Sequence, residues 1–184
     1  MAETPLARVG QTEEIEVIWR PFELRPEGTP PIDAEYAERG FRSRVAPMAA
    51  ELGVEMHLPP VRPRTRLAHE AAFFARQQGK EAAMAAAIFR AYWVQGRDIG
   101  QVEVLCDIAL QAGLDPVELR GALEGRTVRE QVDAELRMAH INMIDAVPHF
   151  VFDGKFAASG LQQEAALRRA IDRCRGGGLI RLEQ

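Results

Sequence analysis

The two cysteines are the first residues in this sequence to consider for chemistry, because a thiolate is a strong nucleophile. Cys106 and Cys174 are far apart in the chain, and the sequence contains no C-x-x-C motif. Disulfide exchange needs a thiolate of lowered pKa, usually at the start of a helix, and a second thiol that resolves the mixed disulfide. Both cysteines lie instead on apolar faces of predicted helices. We therefore expect two core residues and assign no catalytic residue.

The four histidines do not form a metal site by their spacing. They are His57, His69, His140 and His149, and no two are four residues apart, as they would be in a helical metal site. We expect a structural role for His69, at the edge of a helix face. His149 directly follows Pro148, where its side chain could border a groove and donate to a thiolate or a peptide carbonyl. The alternative is an ordinary strand residue.

Three arginines alternate before a predicted helix start, in the stretch "RPRTR" that contains Arg62, Arg64 and Arg66. Such a cluster could bind an anion at the amino end of the helix, for example a glutathione carboxylate. It is also typical of a solvated loop, which is the interpretation we favour.

Pro148 lies just before the apolar run "HFVF", where a strand would enter a core. A proline removes one backbone donor, and an X–Pro bond tolerates the cis form far better than other peptides do. A cis bond would expose the main-chain N–H and C=O of Val147 at the end of the strand, and an extended peptide could pair with them in β fashion. The alternative is an entry proline without a role.

The elements that must position these residues follow from periodicity and turn signals. "EIEVIWRPFEL" predicts a strand over residues 15–22, and a helix is expected over residues 35–52, with Pro47 as a potential interruption. A helical block spans residues 66–140. Asp153-Gly154 predicts a type I′ hairpin turn, and a helix over residues 162–174 follows it, ended by the glycines at 176–178.

Two helix starts inside the block carry clear capping signals. Asp115 precedes Pro116 and is followed by Glu118, while Thr127 and Glu130 repeat the spacing of a capping box. Together the elements predict one α/β domain over residues 1–184, with a large all-helical insertion at approximately residues 33–143.

Composition excludes several classes of protein. The chain has 184 residues, 47% of them hydrophobic, and a net charge of −4, which argues against a nucleic-acid partner because phosphate binding needs a concentrated basic face. The most apolar segment, "AAMAAAIFRAYWV", is too short to span a bilayer and is broken by Arg90. We see no signal peptide, and we expect a cytoplasmic protein with no membrane partner.

Four stretches resemble the DsbA family of thioredoxin-fold proteins, and most closely its FrnE-like branch, which is related to 2-hydroxychromene-2-carboxylate isomerases. They are "WRPFELRPEGTP", "TRLAHEAAFFARQQGK", "IFRAYWVQGRDIGQVEVLCDIALQAGLD" and "AVPHFVFDGKFAASGLQ", in the order of the family. The resemblance implies a thioredoxin-like fold of thiol–disulfide oxidoreductase descent. It also implies that Pro148 is the cis-proline and that Val147, Pro148 and His149 bind a thiol-containing peptide or glutathione. No other cofactor is implied.

The resemblance fails at the first strand of the family and at the CPWC-type motif that follows it. The sequence contains neither, so we expect no dithiol activity from the chain as written. Without that strand the sheet would have open edges. We expect a longer native protein or a homodimer that supplies the missing surface, in preference to direct closure of the sheet. Two other functions stay open: a non-catalytic peptide-binding or assembly module, and a glutathione-dependent isomerase.

Overall fold

The structure is a computed structural model that describes residues 1–175 and 180–183. These residues form nine α-helices and four β-strands, so the predicted mixed α/β class is confirmed. The chain divides into two compact units. The sheet unit consists of Met1–Arg20 and Ala139–Gln184, and the helical unit consists of Pro21–Met138. The predicted single domain with an insertion stays a prediction.

The sheet unit contains all four strands, which lie in the order β1-β4-β2-β3. β1 is parallel to β4, while β2 is antiparallel to both β4 and β3. The bounds of the elements are α1, Glu3–Gly10; β1, Ile15–Ile18; β2, His149–Phe152; β3, Phe156–Ser159; α9, Glu164–Cys174; and β4, Ile180–Glu183.

The strand β4 is the main departure from the sequence-based expectation. It occupies the position between β1 and β2, where the sheet was expected to be open, and it comes from the other end of the chain. Each of its four residues pairs with β1, from Ile15 with Ile180 to Ile18 with Glu183. The gap is therefore filled within the chain, and the expected homodimer stays a prediction. The strand predicted over residues 15–22 is also shorter, since β1 ends at Ile18.

One apolar cluster joins the sheet to α1 and α9. Phe150, Phe152 and Leu182 project from the sheet into this cluster, in which nine residues are buried: Leu6, Val9, Phe150, Phe152, Leu167, Ala170, Ile171, Cys174 and Leu182. Side chains alternate between the two faces of a strand, so His149 and Val151 lie on the opposite face. Full burial of a leucine or phenylalanine is worth about 1.5–3 kcal/mol. The predicted apolar face of the last helix is confirmed, while the glycines predicted to end it lie outside the described residues.

The hairpin between β2 and β3 is confirmed with its turn type. Asp153 and Gly154 have φ values of 53° and 64°, and Lys155 N donates to the Phe152 carbonyl at 2.9 Å. Positive φ at both central residues defines the type I′ turn, whose twist matches that of the flanking strands. The strands pair Phe152 with Phe156, so Lys155 also belongs to the loop, and this register brings His149 opposite Ser159.

The helical unit is built around a core of small and aliphatic side chains from α4 to α7, among them Ala71, Met84, Leu105, Ile108 and Leu119. Its helices are α2, Ala34–Gly40; α3, Ala46–Glu51; α4, Arg66–Gln77; α5, Glu81–Trp93; α6, Val102–Ala109; α7, Pro116–Glu124; and α8, Arg129–Ile141. The residues of α8 from Ala139 onwards are assigned to the sheet unit. In the described part of the chain, no helix combines the length and the apolar character needed to cross a membrane.

The structure differs from the sequence-based prediction at two helices of this unit. The helix expected over residues 35–52 contains a π-helical segment, Phe41–Val45, between α2 and α3. Pro47 has no N–H to donate to the Ser43 carbonyl, and the widened turn lies just before it. The Asp115 cap is confirmed, since its carboxylate accepts from Val117 N at 2.7 Å. At the second predicted cap, the helix begins only at Arg129, two residues after Thr127.

Candidate functional site

The site proposed from the sequence lies where the chain enters β2. The Val147–Pro148 peptide bond is cis, and Val147 is 44% exposed. Within the described part of the chain, neither the N–H nor the C=O of Val147 makes a hydrogen bond. No described residue therefore competes with a ligand for these two main-chain groups.

The carbonyl groups at the junction of Pro148 with the β3 side of the hairpin have hydrogen-bond partners. Its carbonyl accepts from Gly160 N at 2.8 Å, which extends the β2–β3 ladder by one position. A residue with an N–H at position 148 would return a bond to the Gly160 carbonyl, but proline cannot. The Gln162 side-chain amide takes that place, donating to the Gly160 carbonyl and to the Ser159 carbonyl, both at 3.0 Å. The Gly160 carbonyl therefore still accepts a hydrogen bond, although proline cannot donate one to it.

His149 is held by the neighbouring strand. Its Nδ1 lies 2.8 Å from Ser159 Oγ, and the two residues are cross-strand partners in β2 and β3. This hydrogen bond fixes the orientation of the ring and leaves Nε2 for another partner. Sequence reasoning proposed His149 but missed Ser159 and Gln162. A two-residue turn at Asp153-Gly154 would have placed Ala158 opposite His149, whereas the observed pairing of Phe152 with Phe156 places Ser159 there.

The two cysteines do not belong to this site. Cys106 lies within α6, buried in the helical unit, and burial raises the pKa of its thiol. Cys174 lies at the end of α9, buried in the core of the sheet unit, with Sγ 3.6 Å from the Phe152 carbonyl. Neither thiol is placed at a helix amino end, and no disulfide links them. Their predicted role as core residues is confirmed.

His69 has a structural role in the helical unit, as expected. Its Nε2–H donates to the Phe22 carbonyl at 3.1 Å, which fastens the chain after β1 to α4. Burial lowers the pKa of His69 from 6.5 to about 4, so the ring is neutral at pH 7.

In the arginine cluster, Arg64 is exposed in a loop and its guanidinium has partners within the chain, so the solvated loop and the anion site both stay predictions. Arg64 donates to the Arg25, Pro26 and Thr29 carbonyls at 2.6–2.9 Å. Arg66 pairs with Glu23 at 3.0 Å and with Asp133. Arg64 and the Arg66–Glu23 pair therefore bind the segment after β1, while the Arg66–Asp133 pair reaches α8. In the described residues, no group of three or more histidine, cysteine or acidic side chains could hold a metal ion.

The sequence matches a known family of domains and a bacterial relative. A family model described as the DSBA-like thioredoxin domain matches residues 2–172. YwbO, an uncharacterized protein of Bacillus subtilis, is 34% identical over 165 residues, which cover 86% of this chain and 82% of YwbO.

Two solved structures share the fold. A probable DsbA oxidoreductase from Streptomyces coelicolor superposes with a TM-score of 0.82 at 23% identity, covering 96% of this chain and 84% of the other. A putative protein disulfide isomerase from Nitrosomonas europaea superposes with a TM-score of 0.69 at 16% identity, covering 87% of this chain and 97% of the other. The predicted thioredoxin-like fold is therefore confirmed.

Proposed function

Because the chain belongs to the DsbA-like thioredoxin family, we propose that it binds an extended peptide through the main chain at Val147–His149. We assign it to the FrnE-like branch. In this proposal the peptide carries or resembles the thiol-containing segment that a disulfide oxidoreductase would engage. The described residues supply the binding surface, without a dithiol of their own.

The open main chain of Val147 is the observation that carries the proposal. An exposed N–H and C=O at the end of a strand form the pair of groups that β-augmentation uses. Each hydrogen bond gained there contributes about 0.5–1.5 kcal/mol. Because Val147 is not engaged by the sheet itself, the ligand does not have to displace an existing bond.

The state of the cysteines favours binding over exchange. A thiol attacks a disulfide as the thiolate, and burial of Cys106 raises its pKa and so disfavours that form. Cys174 is enclosed by the α9–sheet core. A reactive sulfur at this site would therefore come from the ligand, and a small thiol such as glutathione is the alternative ligand for the same groups.

Binding of a fluorescently labelled extended peptide, measured by anisotropy, tests the proposal. Val147→Pro removes the N–H, whereas Val147→Ala keeps it and changes only the side chain. We expect Val147→Pro to weaken binding about 2- to 12-fold, the loss of one hydrogen bond, and Val147→Ala to bind much as wild type does. Circular dichroism and thermal melts verify that both variants fold. Equal affinity in folded Val147→Pro and wild type would contradict main-chain recognition.

A further inference from the structure

The side chain of Gln162 binds two carbonyl groups at the end of β3. Its Nε2 donates to the Ser159 carbonyl and to the Gly160 carbonyl, both at 3.0 Å. A primary amide carries two N–H donors on this nitrogen, so one side chain can serve both acceptors. Gly160 has a φ of 81°, a left-handed conformation in which the chain leaves the strand. Gln162 therefore restrains the peptide groups on either side of this bend.

The same bend is bonded to the start of β2. Gly160 N donates to the Pro148 carbonyl at 2.8 Å, so a restraint on Gly160 also restrains that carbonyl. The next residue of β2, His149, pairs with Ser159, and its Nδ1 lies 2.8 Å from the serine hydroxyl oxygen. Residues 148–149 and 159–160 thus form one hydrogen-bonded junction, to which Gln162 contributes two bonds.

This junction determines the direction of the Val147 carbonyl. The ring of Pro148 fixes the φ angle of that residue, and the peptide group that joins Val147 to Pro148 is planar. Only one soft dihedral angle, ψ of Pro148, therefore separates the bonded Pro148 carbonyl from the Val147 carbonyl. A displacement at Gly160 is passed on to the Val147 acceptor, because the chain between them has little freedom to absorb it.

We propose that Gln162 is a positioning residue for the ligand: it holds the junction, and the junction holds the Val147 carbonyl in the direction that a bound peptide needs. This inference rests on the peptide-binding function proposed above and adds a residue that acts on the ligand through Val147. Affinity is reduced by the fraction of the protein that lacks the competent arrangement. Gln162 raises affinity by keeping that fraction small before the peptide arrives.

Two substitutions of Gln162 separate its donor from the bulk of its side chain. Gln162→Met keeps a similar length and has no N–H, whereas Gln162→Lys keeps N–H donors at the end of a slightly longer side chain. Gln163→Met and Gln163→Lys are the matched controls. They make the same changes in polarity and charge at the next residue, whose side chain makes no capping hydrogen bond with the described residues.

Two NMR measurements on the peptide-free protein report on the junction. They are hydrogen exchange of the Gly160 amide, which donates to the Pro148 carbonyl, and the carbonyl carbon chemical shift of Val147. We expect Gln162→Met to speed exchange at Gly160 about 2- to 12-fold, the equivalent of one hydrogen bond, and to move the Val147 carbonyl resonance. Gln162→Lys and both Gln163 variants should resemble wild type in both measurements.

Affinity for the labelled extended peptide, measured by anisotropy, reports on positioning. We expect Gln162→Met to weaken binding about 2- to 12-fold, because the restraint that it removes has the strength of about one hydrogen bond. Gln162→Lys and both Gln163 variants should bind much as wild type does. Urea denaturation of each variant verifies that it is folded under the assay conditions, so that a loss of stability is not mistaken for a loss of affinity.

The outcomes separate this inference from the proposed function. Wild-type affinity in folded Gln162→Met would overturn the positioning role, even with faster exchange at Gly160, and peptide binding would stand. Equal weakening by Gln162→Met and Gln162→Lys would also overturn it, since the donor would then not be the cause. If the wild-type chain binds no extended peptide, the proposed function fails and the positioning role fails with it, while the Gly160 and Val147 measurements still show whether Gln162 holds the junction.

Discussion

Val151 in β2 and Glu183 in β4 are cross-strand partners, and this pair is the last described point of contact between the two strands towards the site. Two residues further along β2, His149 pairs with Ser159 of β3, and no described residue of β4 pairs with it. β4 thus pairs with the strand whose start follows the Val147–Pro148 peptide bond.

Leu182 anchors β4, and its truncation should be costly. It is fully buried between β1 and β2 in the core of the sheet unit. We expect Leu182→Ala to lower the free energy of unfolding by about 2–4 kcal/mol, measured by urea denaturation. Leu110→Ala is the control, since Leu110 is 67% exposed, and it should change stability by less than about 0.5 kcal/mol. A similar small loss in both variants would show that β4 is not a fixed part of the sheet.

The hairpin turn that sets the register requires glycine at one position. Gly154 has φ of +64°, and a side chain there meets no neighbour but strains the backbone. We expect Gly154→Ala to destabilise the protein by about 1–2 kcal/mol. Gly121→Ala is the opposite control, because Gly121 lies within α7 with open space around it, and it should stabilise by about 0.5–1 kcal/mol. A stabilising Gly154→Ala would refute the assigned turn.

Stability should depend on pH through His69. Native His69, with a pKa of about 4, stays neutral where an unfolded histidine, with a pKa of 6.5, is already protonated. The unfolded state therefore binds more protons between these values, and stability falls as the pH falls from about 6.5 towards 4, by up to about 3 kcal/mol.

Urea denaturation at pH 7 and at pH 4.5 measures this effect. His69→Gln keeps a donor for the Phe22 carbonyl but cannot titrate, so the pH-dependent loss should shrink by the His69 contribution. His57→Gln, a matched substitution at an exposed histidine, should retain the loss that is due to His69. The assignment would be refuted by an identical pH dependence in wild type and His69→Gln.

The cysteines should contribute nothing to disulfide exchange. We expect the chain to reduce insulin no faster than the background, and the Cys106→Ser, Cys174→Ser double variant to give the same rate, because both thiols are buried. A DsbA-family protein with a C-x-x-C motif serves as the positive control. Turnover that disappears in the double variant would show that one of these buried thiols becomes accessible.

Much of the site was predictable because its signals are local in sequence. Asp153-Gly154 determines the turn and Pro148 marks the start of the strand, but the observed register differs by one residue from that of a two-residue loop. The position of β4 was not predictable in the same way. Residues 180–183 alternate between apolar and charged side chains, but their partners lie more than 160 residues away in β1, and a four-residue pattern does not reveal such a non-local pairing.

The helical unit shows the same contrast. The Asp115 cap is a local interaction between a side chain and the next turn, and it was predicted correctly. The partners of Arg64 and Arg66 were not predicted, because they lie 35 or more residues away in sequence. A basic stretch with distant acceptors is indistinguishable in sequence from a solvated one.

Exchange of the Val147 amide hydrogen with solvent, measured by NMR with and without a saturating extended peptide, tests the central claim most directly. Binding through the main chain predicts that the peptide slows Val147 exchange at least several-fold, about what one hydrogen bond provides, while the amide of Tyr36, which belongs to the helical unit, is unaffected. Unchanged exchange at Val147, with the peptide demonstrably bound, would contradict the claim that these main-chain groups recognise the ligand.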